Sequence, residues 1–427
     1  MTRKLIDDCF IHDKDRLTHA AALELLRERI APVAEIESVP VDRAAGRILA
    51  EDVVAPRPIP AHTNAAVDGY TFRWSDYDPK HGCSLPVGAR AAAGRPLDRP
   101  VQPGEAVRIF TGATMPPGFE TVVMQEDTRV VRSGGAEAVN IPAGIKRGAN
   151  CRLAGEDVAK GALLLTAGDR LRPQDCAAAA SAGFGKLQCH RRLKVAVFST
   201  GDEVVRAGKP IRDGQVYDAN APMLRGLIEA AGAQCEDLGV LPDDRREVEK
   251  KLKAAARDHQ VLITSGGASK GEEDHVVAAV DALGSLHMWQ IAIKPGRPMS
   301  FGQIGDCVFL GLPGNPVAVF VCFLLYVWPV LARLGGARWR EPARYPLRAA
   351  FSLPQKKTGR REYWRGVLKT DPDGRLMADK FERDGSGLIT SLREADGLIE
   401  AGEDVGAIAP GQVVSFIPFS EFGIRRD

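Results

Sequence analysis

Apolar residues along this 427-residue chain change their pattern near Arg192 and again after about Gly336, setting a stretch of alternating strands and helices between two largely β regions. Over 17–30, Leu23, Leu26 and Ile30 fall at helical spacing behind Thr18, a residue type that caps helix N-termini. A helix is predicted there. From 36 to 60, β-branched residues, an AAG and four prolines break the pattern into short strands and extended connectors. Between 61 and 151 the runs EAVRIF, ETVVMQ and TRVVRS are separated by Gly and Pro clusters, the pattern of a small, largely β domain. RLRPQDCAAAASAGFGKLQCH then gives a short helix and a turn, which can return to the first connector and complete an elongated, discontinuous domain.

Beyond Arg192 strands and helices alternate. LKVAVFST, CEDLGV, QVLITSGG and CVFLGL read as strands, and helices are predicted near 221–231, 244–258 and 272–283 and from Pro316. Near-continuous apolar strands between helices imply a parallel sheet covered on both faces. After about Gly336, short strands punctuated by DPDG, GSG and APGQ point to a terminal β-barrel or sandwich. The most apolar run, VAVFVCFLLYVWPVLARL, follows GLPGNP within the βα pattern and is expected to be a buried helix, not a membrane segment. The first residues lack the apolar core of a signal peptide.

Composition narrows the picture in three ways. The length asks for more than one core, since single cores stop growing at about 250 to 300 residues. With 57 basic against 55 acidic residues there is no global field for nucleic acid or lipid, so a charged partner must be held locally. Eight cysteines without a CxxC pair argue against a zinc knuckle or a disulfide scaffold and for reduced thiols in the cytoplasm, and no HxH or HExxH spacing marks a histidine metal site.

In open parallel sheets, ligands bind beyond the carboxyl ends of the strands. Three predicted strands run there into acids: Gly201-Asp202-Glu203, Pro242-Asp243-Asp244, and Ser269-Lys270-Gly271 followed by Glu272, Glu273 and Asp274. Each cluster alone is an ordinary helix cap. Three at one sheet edge would repel an anion unless a hard cation lay between, and Mg²⁺ held by one or two carboxylates plus substrate phosphates is the usual solution. In SGGASKG, where Ser265 and Ser269 accompany Gly266, Gly267 and Gly271, the glycines let backbone N–H groups approach a phosphate. The GxxxxGK[ST] loop is absent, which argues against that class of nucleoside triphosphatase. Lys294-Pro295-Gly296-Arg297-Pro298 adds two cations and a tight turn; GLPGNP, with Pro313, Gly314 and Asn315, adds another, with Asn315 at a helix cap. Asp68-Gly69 and Thr111-Gly112 read on spacing as turns. Lys356, Lys357, Arg360, Arg361 and Arg365 surround Tyr363 and Trp364, as a solvated face or an anion subsite.

Taken in order, NAAVDGY, RIFTGATMPPGFETVVMQED, NCRLAGEDVAKG, VFSTGDEV, SGGASKGEEDH, IKPGRPMSFG, LGLPGNPVAV and DGSGLITSLREADGLI resemble the molybdopterin molybdenumtransferase family, bacterial enzymes related to the C-terminal domain of gephyrin. The resemblance runs over nearly the whole chain. It implies a multidomain α/β plus β fold: a discontinuous connector and dimerisation domain over 14–60 and 153–190, a small β-rich domain over 61–152, a molybdopterin-binding-like α/β domain over 191–337 and a C-terminal β-barrel over 338–427. It also implies a cytoplasmic homodimer whose active site is shared between the α/β domain of one subunit and the small β domain of the other. The implied reaction inserts molybdate into adenylylated molybdopterin and releases AMP, assisted by Mg²⁺. Contacts with the adenylyltransferase and with recipient molybdoenzymes would follow; nucleic acid and membrane would not.

Residue by residue, the resemblance makes Glu203, Asp243 and Asp274 candidates for the metal, and Lys294 for anchoring phosphate or pterin. Asp68, Thr111 and Arg152 become the partner subunit's contribution, with Asp68, Thr111, Glu203, Asp274 and Lys294 as the catalytic set. Ligand contacts are expected at Gly201, Asp202, Ser265, Gly266, Gly267, Ser269, Gly271, Pro295, Gly296, Arg297, Pro313, Gly314, Asn315, Ser386 and Ser391. The chain departs from the common FDNSAMDGYA at His62-Thr63-Asn64-Ala65, and Gln290 stands where a basic residue is expected. Molybdate contacts are then expected in part from Arg297 or the basic cluster, and the choice between molybdate and tungstate as cargo stays open. Two other readings stand beside this one: a molybdopterin adenylyltransferase, which shares an SGG loop but lacks the flanking β domains, and a non-catalytic gephyrin-like scaffold.

Overall fold

The computed structural model describes residues 16–133, 135–241, 244–266 and 275–425, apart from the side chain of Met288. Its largest core lies in the α/β domain. A six-stranded sheet runs in the order Gln234–Val240, Lys194–Ser199, Val261–Ser265, Cys307–Leu312, Pro298–Ile304, Ser285–Gln290. The first four strands are parallel, as their apolar runs predict, whereas the last two are antiparallel and make the sheet mixed. The short turn at Gly305, with φ +61, joins Pro298–Ile304 directly to Cys307–Leu312, and such a tight hairpin permits only antiparallel pairing.

Alternate residues of each strand serve opposite faces. Val195, Val197, Val261 and Ile263 join Leu224, Leu227 and Ile228 of the Asn220–Ala230 helix, while Ala196, Phe198 and Leu262 join Val248, Leu252, Val276 and Val280 of the Arg245–Asp258 and His275–Leu283 helices. The apolar segment Pro316–Leu334 is long and apolar enough to cross a membrane, but 83% of that window is buried in the protein, so it serves as the central core helix. It widens to a π turn over Phe323–Val327, just before Pro329. Proline has no N–H for the regular i→i−4 bond, which favours the wider turn there.

The N-terminal helix forms at His19–Arg29, with the Thr18 hydroxyl accepting from the Ala21 N–H. Sequence places it with the connector, yet Ala22, Leu23, Leu26 and Ile30 insert into the α/β core. Farther on, Ile36–Pro40 pairs with Lys186–His190 and Val53–Val54 with Leu163–Leu165, bringing together segments from either side of the small β domain. That domain is a six-stranded sheet ordered Thr121–Met124, Gly69–Phe72, Ala106–Ile109, Cys83–Ala91, Ala136–Ile141, Arg129–Ser133.

The C-terminal strands close a barrel. Arg361–Thr370 pairs with Leu376–Lys380 on one side and Gly397–Ala401 on the other, and Tyr345–Ala349 and Val413–Pro418 complete the circuit. Barrel and sandwich are thus decided in favour of the barrel. Ile293–Lys294, from the α/β domain, adds alongside Arg361 and Glu362, so the loop carrying Lys294 is sewn to the barrel edge.

Candidate active site

Three loops at the carboxyl edge of the sheet meet the barrel around a cleft of about 500 Å³. From the sheet domain it is lined by Gly266, Lys294, Pro295, Gly296, Pro313, Gly314 and Asn315; from the barrel by Tyr363, Trp364, Arg365, Asp384 and Ser386. Eight of the residues proposed from sequence therefore share one cavity, although they span 121 positions from Gly266 to Ser386.

Close approach explains two of the glycines. Gly266 has φ +89, and a Cβ there would lie 2.3 Å from the Thr200 Oγ1, so only glycine lets the strand ends at Thr200 and Ser265 touch. Gly296 has φ +98, and a Cβ would meet the buried Cys322 Sγ at 2.3 Å. Asn315 occupies the N-cap position of Pro316–Cys322, but its side chain makes no capping bond. It lines the cleft instead.

Among the described residues, two cations reach this cavity. Lys294 is half-exposed, with Nζ 3.7 Å from the buried Glu362 carboxylate, which also accepts from Arg360. Arg365 is 2% exposed: its Nε donates to Ser391 Oγ at 2.9 Å and its Nη2 to the Arg383 carbonyl at 2.7 Å. Burial pulls the Arg365 guanidinium below its ordinary range, with Asp384 opposing, but a guanidinium stays charged in a protein. Three more members of the basic cluster are spent on structure, and Lys357 is exposed away from the cleft. Arg361 pairs with Glu400 and Glu403, Arg360 with Glu362, and Lys356 donates to three backbone carbonyls.

Ser391 is fully buried and also donates to the Leu388 carbonyl at 2.5 Å. The expected ligand contact gives way to support of Arg365, because no face of Ser391 reaches solvent. Arg297 is exposed and does not line the cavity. Gly201, Asp202 and Glu203 follow the Lys194–Ser199 strand beside the cleft, and Gly201 lacks the Cβ that would strike the Glu203 carboxylate at 2.4 Å. Asp243, Gly267, Ser269, Gly271 and Asp274 lie outside the described residues.

The small β domain carries its own constellation. Asp68 Oδ1 accepts from the Thr111 N–H at 2.8 Å and from its hydroxyl at 2.7 Å. These two bonds, with Arg108 adding its charge, hold the Asp68 carboxyl below the usual carboxylate range. Arg152 is exposed on a short strand that pairs with Asn64. None of the three lines the cleft.

Sequence reasoning passed over Asp218 and Asn220, which sit beneath the floor. Asp218 is buried, accepts from the Ser199 hydroxyl and from the Ala221 N–H, and pairs with Arg206 at 2.9 Å. Asn220 bonds to Ser265 and Gly314. The signal was present as two polar residues at a helix start, a pattern that capping alone also produces.

Comparison with known proteins covers every domain. Residues 17–183 match the family "MoeA N-terminal region (domain I and II)", 196–333 the "Probable molybdopterin binding domain" and 346–419 the "MoeA C-terminal region (domain IV)". A protein of Haemophilus influenzae named molybdopterin molybdenumtransferase is 36% identical over 405 residues, covering 95% of this chain and 99% of that one. One of the same name from Nostoc is 36% identical over 336 residues, covering 77% and 76%. Among solved structures, the molybdopterin biosynthesis moeA protein of Pyrococcus horikoshii superposes with a TM-score of 0.80 at 29% identity, over 95% of this chain and all of that one.

Proposed function

Because this chain belongs to the molybdopterin molybdenumtransferase family, we propose that its cleft inserts molybdate into adenylylated molybdopterin with release of AMP. One observation carries the reading: a single cavity sets Lys294 and Arg365 beside the turns at Gly266, Gly296 and Gly314. Backbone N–H groups freed by glycine suit the pyrophosphate of an adenylylated pterin. The two cations suit the oxyanion cargo and the charge that grows on phosphoryl oxygens as the nucleotide leaves, Arg365 through the Nη1 group that its bonds to Ser391 and Arg383 leave over and Lys294 as a point charge.

Mg²⁺ fits in part. Among the described residues no group of three or more His, Cys, Asp or Glu side chains is placed to hold a metal ion. Glu203, exposed over Gly201, offers one hard oxygen ligand of the kind that Mg²⁺ combines with substrate phosphates. Asp243 and Asp274 are proposed as the others. Bound there, the ion would neutralise phosphate charge.

A homodimer is part of the proposal, since Asp68, Thr111 and Arg152 stand apart from the cleft of their own subunit and a second subunit would bring them to it. A cytoplasmic location, with adenylyltransferase and recipient enzymes as contacts, follows from the same reading. The adenylyltransferase and scaffold alternatives are not favoured, because similarity to molybdenumtransferases extends through the flanking domains. The test is incubation with adenylylated molybdopterin, Mg²⁺ and either molybdate or tungstate, following AMP and metal-loaded cofactor. AMP release that does not respond to either oxyanion would refute the insertase assignment.

A further inference from the structure

We infer that Asn220 is a positioning residue for nucleotide phosphate: it commits the Ser265 hydroxyl to act as a donor beside the Gly266 turn. This rests on the reading of the cleft as a pyrophosphate cradle.

Asn220 opens the Asn220–Ala230 helix and is 8% exposed. Its Nδ2 donates to Ser265 Oγ at 2.6 Å and to the Gly314 carbonyl at 2.7 Å. Ser265 ends one strand immediately before Gly266, and Gly314 belongs to the turn across from it; both glycines line the cleft. One amide nitrogen therefore spans the two loops that a pyrophosphate would lie between.

The orientation of the amide is settled by chemistry. Turned over, Oδ1 would face the Gly314 carbonyl oxygen, two acceptors in contact. As it stands, Oδ1 is buried without a partner among the described residues, a cost tolerated where the nitrogen side is the one that matters. Asp218 prevents retreat, since it accepts from the Ala221 N–H at 3.0 Å and fixes the start of the helix. Both Nδ2 hydrogens are then used, and Ser265 Oγ is an acceptor in one of those bonds. Its own proton has no acceptor among the described residues. A hydroxyl whose lone pair is taken by an amide is left with a proton to give, and a phosphate oxygen at Gly266 is the matching acceptor.

The probe is AMP, titrated calorimetrically into the intact protein. N220D replaces the donor by an acceptor that captures the Ser265 proton, and S265A removes the hydroxyl. Each is expected to weaken AMP binding about ten-fold or more, the scale of a hydrogen bond to a charged group. Adding S265A to N220D should change little, because donation is already lost. The N220D deficit relative to wild type should shrink as pH falls, since a protonated acid regains one O–H donor; simple structural damage would show no such recovery. Unchanged affinity in N220D, or losses that add fully in the double variant, would overturn the inference while leaving the cradle intact. Should N220D fail to fold, S265A against S265T decides: wild-type affinity in S265A overturns the inference, whereas loss in S265A and retention in S265T upholds it. Absence of AMP binding by the wild type removes the cradle and the inference together.

Discussion

Acidification should loosen the seat of the N-terminal helix, and His19 sets the size of the effect. Its imidazole is 2% exposed, with Nδ1 2.9 Å from the Tyr326 hydroxyl and its ring edge-on to Tyr326 and Tyr363 at 5.6 and 5.8 Å. Tyr363 in turn lines the cleft and donates to Glu400. Burial, then Arg361 and Arg344, lowers the His19 pKa from 6.5 to about 4, against the opposing charges of Glu400 and Glu403. The unfolded chain binds this proton below about 6.5 and the folded chain only near 4, so between those values the unfolded state holds more protons. Stability is therefore full above pH 6.5 and falls as pH drops toward 4. A span of about 2.5 pH units at about 1.36 kcal/mol each gives a total near 3.4 kcal/mol, of which about 2 kcal/mol is already lost at pH 5. Urea unfolding of wild type and His19→Gln at pH 7.5 and pH 5 measures it. Wild type should lose about 2 kcal/mol more than the variant over that interval. Equal losses in the two proteins would refute the reasoning.

Other outcomes follow from the cleft. Gly296→Ala should cost about 2 to 4 kcal/mol in urea unfolding, from a left-handed backbone and a clash with Cys322, and adding Cys322→Ala should recover the clash but not the backbone cost. Full recovery would argue that φ carries no penalty. Ser391→Ala leaves the Arg365 Nε without its side-chain partner in a buried site; a loss of about 1 to 2 kcal/mol in stability is expected, with a several-fold rise in the molybdate concentration giving half-maximal AMP release. An unchanged molybdate dependence would separate Arg365 from the oxyanion. Mixing Asp68→Ala subunits with Glu203→Ala subunits should restore partial activity, since one shared site would then be intact, and no recovery after proven subunit exchange would contradict the composite site.

Much of the fold was legible because its signals are local. The alternation of Val195, Ala196, Val197 and Phe198 declares a strand buried on both faces, and Thr18 before an amphipathic run declares a helix start. The glycines at Gly266 and Gly296 advertised close approach, to Thr200 and Cys322 respectively. Less was legible where identity depended on company. Ser391 looked like a ligand contact and is a support. Arg361 looked like part of a basic patch and is consumed by Glu400 and Glu403. Pro298–Ile304 and Ser285–Gln290 were not among the strands read from the sequence, and their antiparallel pairing is seen only in the fold.

By itself, then, the sequence determined the four parallel strands of the α/β domain with the helices between them, where acids and glycines cluster, and which family the ordered motifs resemble. Only the tertiary structure decided that Lys294 meets Glu362, that Arg365 alone of the basic cluster lines the cleft among the described residues, and that Asn220 joins Ser265 to Gly314, 94 positions away. The reason is physical: periodicity is written in neighbouring residues, whereas strand register and the surroundings of a charge are set by groups far apart in the chain, and it is the fold that decides which cation reaches the cleft.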